Sequence, residues 1–583
     1  MNDPAILLTG SDGLSSQECN LGKLLDFFGV SWRPSTIPEL FADYNGVAQS
    51  DLRLLCSSDH FSGLMTDLER SSDRARQWHK QIHSVFVYAG KDIAALGKLA
   101  EIRTGTDTPS ESHSGAPCFA ISDKLPEFCG VMAGVHITAD GVDIALTFAP
   151  VAGSRHIDII SLDHSAVFVK LEYEGVPVFL SASKRIIDIE SDLPDGIFDV
   201  RRHVLQAVPP VLYIKWAFAG TCWTAPEKSA CLIIDDPLLK PRYGFVHYGE
   251  LLSLMQRYKF STNIAFIPWN WRRSDSRVSR LFRENPEYYS ISVHGCAHTQ
   301  AEFGSDDSER LYGKARRALA RMTQHESSTG IAHDRVMVFP QGVFSEAAMG
   351  VLKRTDLIAA VNNDTISSNS NPRAITVADV WDTAIMAYDN FPLFTRRYPW
   401  SGIENFAFDS LLGKPVVVVV HHDSCRDHCG RLIPFIEQLN ALACSLHWRS
   451  LGDLVRRSCR QRVLSDDVTQ VEMYGKELLV ENPSDRTKQF LIRRRESDPS
   501  AIREVRAGSS PIHWKRDGDR IQFEVELKGR EQTTVRLDFH ELDQAKKTAE
   551  NLNYTARTML RRYLCELRDN YLHRLISLSS IGN

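Results

Sequence analysis

The chain has no long apolar run and no excess of basic charge. Its longest run of β-branched residues is Val416 to Val420, whereas a helix needs roughly 20 apolar residues to cross a bilayer. Lys and Arg number 68 against 73 Asp and Glu, which gives a formal net charge of -5, and such a chain lacks the basic footprint of a nucleic-acid-binding protein. A transmembrane segment and a nucleic-acid partner are therefore not expected.

The sequence shows no pattern from which we would expect an export signal or a cysteine framework. Residues 1–10 carry no basic segment before a short apolar run, unlike a signal peptide. The twelve cysteines are scattered between Cys19 and Cys565, and in a large chain without an export signal this scatter favours reduced thiols. We therefore expect a cytoplasmic protein.

The chain does have enough apolar material for several folded units. Of its 583 residues, 43% are hydrophobic, and the length predicts roughly three or four domains. The patterning predicts an α/β chain of four segments. They are an N-terminal α/β, flavodoxin-like region at 1–225, a distorted (β/α) barrel at 226–460, a small β-sandwich-like domain at 461–540 and a C-terminal helix at 541–583.

The N-terminal assignment depends on strand-like runs at 5–8, 52–56 and 85–88, with a helix-like run at 21–28 between the first two. This order predicts a βαβ layer. The glycine-containing segment 9–13 after the first strand could cradle a phosphate, but it matches neither the dinucleotide motif nor the P-loop. A turn that needs the freedom of glycine is the alternative.

The two C-terminal segments show two other patterns of apolar residues. Ile521, Phe523, Val525 and Leu527 alternate with polar residues, which predicts β-strands. The last segment carries an apolar stripe at alternating spacings of three and four, which predicts one long helix. The stripe consists of Leu542, Ala545, Ala549, Leu552, Ala556, Met559 and Tyr563. It could dock on its own chain, or it could form a homodimer through Leu552, Met559 and Tyr563.

Two adjacent acids mark the end of the first strand of the barrel segment. Asp235 and Asp236 directly follow the apolar run 232–234, and functional side chains of a barrel lie at the carboxyl ends of its strands. Because successive strand residues point to opposite sides, one carboxylate could bind a metal while the other accepts a proton. An N-cap or a loop pair of acids is the structural alternative.

A histidine pair follows another strand-like run. His294 and His298 come directly after the apolar segment 288–293. On a helical turn a spacing of four places both imidazoles on one face, and neutral imidazole is a favoured zinc ligand. Two histidines and one aspartate leave coordination positions open, as a catalytic zinc site requires. A divalent metal, most of all Zn²⁺, is the expected cofactor.

Two further strand-like runs end in candidate site residues. The run 336–339 leads into Pro340-Gln341-Gly342, and the run 416–420 leads into two histidines and an aspartate. The second loop is dense in metal donors, so a separate structural metal site is an alternative, although the spacing matches no common zinc pattern. These donors are His421, His422, Cys425, His428 and Cys429.

In this order, the motifs resemble those of the polysaccharide deacetylase superfamily, the NodB homology domain of the family 4 carbohydrate esterases. Residues 235–236 are similar to its first motif, 294–298 to its second, 339–342 to its third and 419–423 to its last. The resemblance covers about residues 226–455. It implies a distorted (β/α) barrel of that family's type and a metal-dependent deacetylase.

The resemblance also implies a role for each matching position. The family's acid is a histidine that directly precedes an acidic residue, which favours His422, although His421 is adjacent and could face the site instead. The implied set is Asp235 as general base, Asp236, His294 and His298 as metal ligands, His422 or His421 as general acid, and the backbone N–H of Gln341 as an oxyanion donor.

The chain departs from the family in two motifs. No arginine stands immediately before Pro340, the nearest being Arg335, so the residue that would orient the base is not identified. For the fourth motif, the segment Asp379-Val-Trp-Asp382 is only a loose candidate.

The expected function is hydrolysis of acetyl groups, N-acetyl more than O-acetyl, on a carbohydrate. Trp269 and Trp271 follow a strand end, where their rings could stack on a sugar or could pack a loop. One alternative is a glycoside hydrolase that uses Asp235 and a second carboxylate. Another is a catalytically inactive glycan-binding or assembly protein.

Overall fold

The structure is a computed structural model of the chain. It describes residues 5–42, 51–71, 78, 81–91, 102–105, 116–140, 147–150, 156–442, 445–542 and 552–572.

The N-terminal region is a single mixed β-sheet with helices packed on it. Its strands are β1 Ala5–Leu8, β2 Trp32–Ser35, β3 Leu52–Ser57, β4 Ile82–Tyr88, β5 Ile102–Gly105, β6 Cys118–Ile121, β7 His136–Thr138, β8 Thr147–Pro150, β9 His156–Leu162, β10 Ser165–Tyr173 and β11 Val176–Ser181. The helices described in this region are α1 Ser16–Phe27, α2 Ile37–Ala42, α3 Ser58–Arg70, α4 Pro126–Cys129 and α5 Val204–Ala217.

Half of this sheet is parallel and half is antiparallel. The order is β2-β1-β3-β4-β11-β10-β9-β6-β7. Neighbours from β2 to β11 run parallel, as the strand and helix order predicts, whereas those from β11 to β7 run antiparallel. The antiparallel half departs from the all-parallel sheet that a flavodoxin-like region implies, because short turns such as that between β10 and β11 join strands directly, without a crossover helix.

The central region is a parallel sheet that curls into a nearly closed barrel. Its strands are β12 Ser229–Asp235, β15 Thr262–Phe266, β16 Tyr289–His294, β17 Asp334–Val338, β18 Ala359–Asn362, β19 Leu393–Thr395, β20 Val416–His421 and β21 His447–Trp448. Between β12 and β15 along the chain, β13 Arg242–Tyr243 and β14 Val246–His247 form a separate antiparallel pair. Its helices are α6 Tyr248–Tyr258, α7 Ser276–Glu284, α8 Ser308–Thr329, α9 Glu346–Lys353, α10 Val377–Trp381, α11 Ile403–Leu412, α12 Arg426–Cys429, α13 Leu432–Ala441 and α14 Leu451–Arg457.

The barrel closes between the two ends of its sheet. The strand order is β19-β18-β17-β16-β15-β12-β20. Just beyond β19, the backbone N–H of Arg397 donates to Val417 and its carbonyl accepts from Val419, at 2.9 Å each. This parallel bridge joins the β19 end of the sheet to β20. The carboxyl ends of all seven strands therefore meet at one mouth.

Side chains alternate between the barrel interior and the helix layer. Ile233 packs with Val417 and Val338 in the interior cluster, whereas Ile234 and Val420 belong to the larger core that includes the helices. By this alternation Asp235 and His421, each the last residue of its strand, continue the inward-facing rows.

The next domain is a β-sandwich. One sheet has the order β22-β23-β25-β29-β28 and the other β24-β30-β26-β27. The strands are β22 Cys459–Ser465, β23 Val468–Met473, β24 Glu477–Glu481, β25 Lys488–Arg495, β26 Ile502–Ala507, β27 Ser510–Pro511, β28 Lys515–Asp517, β29 Arg520–Leu527 and β30 Gln532–Phe539. On β29 the predicted alternation is present: Ile521, Phe523, Val525 and Leu527 are buried in a core shared by both sheets.

The last described element is α15, Leu552–Leu567, which continues as a π-helical turn over Arg568–Leu572. Met559 and Tyr563, members of the predicted apolar stripe, are each 52% exposed, while Arg562 and Asp569 are buried. The helix thus docks mainly with its polar face. Tyr563 also contacts the barrel, since the guanidinium of Arg273 lies 4.3 Å from its ring centroid, but about half of both Met559 and Tyr563 stays exposed. Homodimer formation through them stays a prediction, and Ala545 and Ala549 lie outside the described residues.

The described helices include none that is both long and apolar enough to span a membrane.

Candidate metal centre and active site

The centre is built around His294, the last residue of β16. Its side chain is almost fully buried, and its Nδ1 donates to the carbonyl oxygen of Val338 on the neighbouring strand at 2.9 Å. A hydrogen bond at one ring nitrogen fixes the tautomer and leaves Nε2 with its lone pair. Nε2 lies 3.6 Å from Oδ1 of Asp236.

Asp236 and His298 complete the group. Asp236 has φ 81° and His298 has φ 54°, so both residues leave regular secondary structure. Oδ1 of Asp236 lies 3.1 Å from Nε2 of His298, yet it is buried and accepts no hydrogen bond. One donor atom from each of the three side chains lies within 4.8 Å of the others. An orphaned carboxylate oxygen facing two imidazoles fits a zinc-type donor set.

The segment 294–298 is a loop rather than the helical turn that the spacing of four predicts. The carboxylate of Glu302 accepts the backbone N–H groups of Cys296, Ala297 and His298 at 2.9 to 3.0 Å. Gly295 has φ 63°, and a Cβ there would lie 2.4 Å from Pro340. Glu302 therefore holds His298 in place. The sequence gives no signal for this role, because the acid lies beyond the motif.

The charges of the three candidate ligands are strongly coupled. Burial alone would raise the pKa of Asp236, but interaction with His294 and the charges of His298 and Arg562 outweigh burial and lower it. Burial lowers the pKa of His298 to about 4. For His294, burial is outweighed by the two aspartates, so its pKa is raised.

Asp235 is held by an arginine that the sequence pattern did not identify. The guanidinium of Arg396 donates two hydrogen bonds to the carboxylate of Asp235, at 2.8 Å each, and its Nε donates to Oδ1 of Asn363 at 2.8 Å. Burial would raise the pKa of Asp235, but Arg396 and His294 outweigh burial and lower it. The carboxylate is thus ionised and fixed in orientation. Arg335 lies elsewhere, paired with Glu477 of the sandwich.

The two adjacent histidines occupy different surroundings. His421 pairs in register with Asp235 across β12 and β20, its charge contributes to lowering the pKa of Asp235, and it is exposed at the mouth. His422 is buried between Tyr243 and Phe245, with ring centroids 5.9 Å and 6.1 Å away. The geometry therefore favours His421 as the histidine that faces the mouth.

The other predicted binding residues lie on neighbouring loops. Gln341 has φ 59°, and its side-chain oxygen accepts the N–H of Ala301 at 3.2 Å. Trp269 lies beneath the guanidinium of Arg321, 4.6 Å from the ring centroid. Trp271 lies 4.3 Å from that of Arg272. Both tryptophans are partly buried, and in each an arginine guanidinium covers part of the ring face that a sugar would need.

A different aromatic surface is open at the mouth. Trp400 is 71% exposed and stacks on Tyr398, with centroids 4.2 Å apart and an angle of 9° between the rings. Tyr398 in turn lies 6.2 Å from the ring of His421 at an angle of 18°. Beside it is a cavity of about 170 Å³ that reaches Arg396 and Asp364. Sequence reasoning missed Trp400, although it follows the end of β19 as Trp269 follows the end of β15. The same pattern could therefore have identified it as a candidate sugar-binding residue.

The C-terminal segment reaches the mouth. Asp569 accepts a hydrogen bond from the hydroxyl of Tyr243 at 2.7 Å and lies 3.7 Å from Nε2 of His422. The side chain of Asn570 accepts the N–H of Gly244 at 2.7 Å. Asp569 and Asn570, which follow the barrel and the sandwich in the sequence, therefore form one side of the mouth.

The remaining sequence candidates fall outside the centre. Asp379 caps α10 through Thr376, and Asp382 pairs with Arg460, so the loose fourth-motif candidate lies away from the ligands. Within the described part of the chain, Asp236, His294 and His298 form the only group of three or more donor side chains close enough to hold one metal ion. The donors at 421–429 form no second centre there.

Comparisons with known proteins find similarity to solved structures over about two fifths of this chain. No family model matches the chain, and no curated protein does. A family 4 carbohydrate esterase from Streptomyces lividans, in complex with acetate, is similar over 38% of this chain and 93% of that chain, at 14% identity and a TM-score of 0.24. A family 4 acetyl xylan esterase from Clostridium thermocellum, in complex with a cobalt ion, is similar over 39% and 90%, at 12% identity and a TM-score of 0.24.

A 4-alpha-glucanotransferase from Thermococcus litoralis is similar over 39% of this chain and 40% of that chain, at 12% identity and a TM-score of 0.25. At such low identities and TM-scores, these similarities assign neither a family nor an activity to this chain. The functional conclusion therefore depends on the geometry of the site.

Proposed function

We propose that the chain is a metal-dependent deacetylase that hydrolyses acetyl groups, above all N-acetyl groups, on a carbohydrate. The observation that carries the proposal is the position of an ionised, arginine-held carboxylate, Asp235, next to a three-donor group with an orphaned oxygen. A fixed base beside an open metal site is the arrangement that hydrolysis of an amide or ester requires.

Asp236, His294 and His298 would hold the metal. When bound there, a divalent ion such as Zn²⁺ would polarise the acetyl carbonyl and acidify a water molecule. Asp235 accepts the proton of the attacking water, and Arg396 keeps its carboxylate aimed at the mouth. His421 then donates a proton to the leaving amine.

The aromatic pair Tyr398 and Trp400 supports a carbohydrate substrate. Their stacked rings lie beside His421, and an exposed indole face is suited to the apolar face of a pyranose. We therefore assign sugar binding to this pair in preference to Trp269 and Trp271, whose rings are covered by arginines.

The test combines metal analysis with product analysis. Purified protein loaded with Zn²⁺ is incubated with N-acetylated and O-acetylated oligosaccharides, and acetate, free amine and reducing sugar are each measured. Acetate released in step with free amine supports the proposal. New reducing ends without acetate would support the glycoside hydrolase, and glycan affinity without turnover in fully metallated protein would support the inactive binding protein. The Asp235→Asn variant is the matched control in each assay.

A further inference from the structure

One cationic side chain at the mouth comes from outside the barrel. Arg562 lies on α15, is 7% exposed, and its guanidinium donates to the carbonyl oxygen of His298 at 3.2 Å. Burial and then the charges of His294 and Arg562 lower the pKa of His298. The guanidinium is therefore within electrostatic reach of the candidate metal ligands.

The other charges on this face of the segment are already paired. Arg562, Glu566 and Asp569 lie on one helical face at spacings of four and three. Glu566 forms ion pairs with Lys240 and Arg273, and Asp569 is bound by the Tyr243 hydroxyl. These contacts fix the helix across the mouth and hence fix the position of Arg562.

Arg562 forms no ion pair within the described residues, although its charge reaches Asp236. Its Nε is buried and makes no hydrogen bond with any of these residues. Removing an unpaired charge from water is costly. A ligand that accepts a hydrogen bond from the unused Nε–H would explain why this guanidinium is buried next to the proposed substrate site.

The charge of the site points to the sign of that ligand. Arg396 neutralises Asp235, and Asp569 at the mouth is paired with Arg568. A divalent ion held by Asp236 would therefore leave a net positive charge around the ligands, to which Arg562 adds. A mouth of this charge attracts an anion. The planar fork of arginine matches the oxygens of a carboxylate or a phosphate.

We propose that Arg562 binds an anionic group, a carboxylate or a phosphate, carried by the acetylated carbohydrate close to the acetyl group that reacts. The inference rests on the proposed function for the acetyl part of the substrate. The anion site itself rests on Arg562 and the docked helix.

The kinetic test compares three acetylated probes. They are tri-N-acetylchitotriose, which is neutral, a hyaluronan tetrasaccharide, which carries carboxylates, and N-acetylglucosamine 6-phosphate. We expect a lower KM for at least one anionic probe than for the neutral one. Arg562→Gln should raise that KM about tenfold relative to the KM of the neutral probe, the value of one charge-assisted hydrogen bond. Arg557→Gln, at an exposed position of the same helix, is the control and should change neither KM.

A binding measurement separates this inference from the proposed activity. Calorimetry with glucose 6-phosphate and with glucuronic acid, which have no acetyl group, should show binding that is lost in Arg562→Gln and partly kept in Arg562→Lys. If such binding occurs but no acetate is released from any probe, the deacetylase proposal fails and the anion site stands. If wild-type protein binds and turns over neutral and anionic probes alike, the anion site is overturned. That comparison needs no variant, so it decides even if Arg562→Gln misfolds.

Discussion

Arg396 holds both carboxylate oxygens of Asp235 at 2.8 Å, although the two residues lie 161 positions apart in the sequence. The pair joins the strand β12 to the segment just after β19, with β20 between them in the closed barrel. A bidentate, buried pair has a fixed geometry as well as a favourable charge interaction. Arg396 thus supplies the orienting group that is missing before Pro340.

The first prediction concerns this pair. Arg396→Gln should lower kcat by about tenfold or more, because the base loses its fixed orientation, while metal content stays unchanged. Without the guanidinium, burial raises the pKa of Asp235, so the acidic limb of the kcat/KM profile should move to higher pH. Arg335→Gln, which removes an arginine paired with the sandwich domain, is the control. A profile that stays in place would show that Arg396 does not set the pKa of the base.

The second prediction concerns the metal ligands. Asp236→Ala and His298→Ala should each lose most bound metal, measured per chain after dialysis, because a three-donor site cannot spare one donor. Asp235→Asn should keep the metal and lose most turnover, since the amide fills the same space but cannot accept a proton. Full metal occupancy in either alanine variant would mean that the ligands are assigned incorrectly.

The third prediction distinguishes the two adjacent histidines. His421→Ala should lower kcat more than His422→Ala, because His421 lies in register beside Asp235 and reaches the open mouth. Metal content should not change in either variant. The sequence motif alone favours His422, so steady-state kinetics of the two variants decide between motif position and geometry. Equal, small losses would mean that neither histidine is the acid.

The fourth prediction concerns sugar binding. Trp400→Ala should raise KM for an acetylated oligosaccharide about tenfold, with little change in kcat, because loss of a stacking surface affects binding of substrate and transition state alike. Trp271→Ala is the matched comparison and should have the smaller effect. A larger effect at Trp271 would move the sugar-binding surface to the loop after β15.

The fifth prediction concerns docking of the C-terminal segment. Burial would raise the pKa of Asp569, but the interaction with His422 and the hydrogen bonds from Arg568 and Tyr243 outweigh burial and hold it at about 2, below the ordinary 3.8. A lowered folded-state pKa stabilises docking above pH ~4, and that stabilisation is lost as pH falls from about 4 towards 2. Glu566 faces the same surface, paired with Lys240 and Arg273.

Hydrogen exchange of residues 552–572 measures this docking. In wild-type protein, protection should fall across the window from pH 4 to pH 2, whereas Asp569→Asn should show lower protection at pH 5 and a flatter dependence. Asp485→Asn, at an 84% exposed side chain of the sandwich, should behave like wild type. The same pH dependence in Asp569→Asn and wild type would remove Asp569 from the docking contacts.

Sequence patterns identified the parts of the site that are local. Apolar runs followed by Asp235-Asp236 and by His294 predict polar side chains at strand ends, and parallel strands bring such ends to one edge. The three donors do come within 4.8 Å of one another. The alternation on β29 likewise predicts its buried face, because the period of a strand is fixed by backbone geometry.

Tertiary structure decided the rest. Arg396 and Arg562 reach the centre from segments far away in the sequence, since barrel closure and helix docking set those contacts. Glu302 is close in sequence to His298, but only the fold of the loop turns its carboxylate onto the backbone of 296–298. The C-terminal helix shows the reason most plainly. Its apolar stripe predicts either docking on the chain or dimer formation. The surface that the helix meets carries Lys240, Arg273 and Tyr243, so mainly the polar face docks. The sequence determined which residues could do chemistry, and the surfaces that folding brings together determined which of them meet.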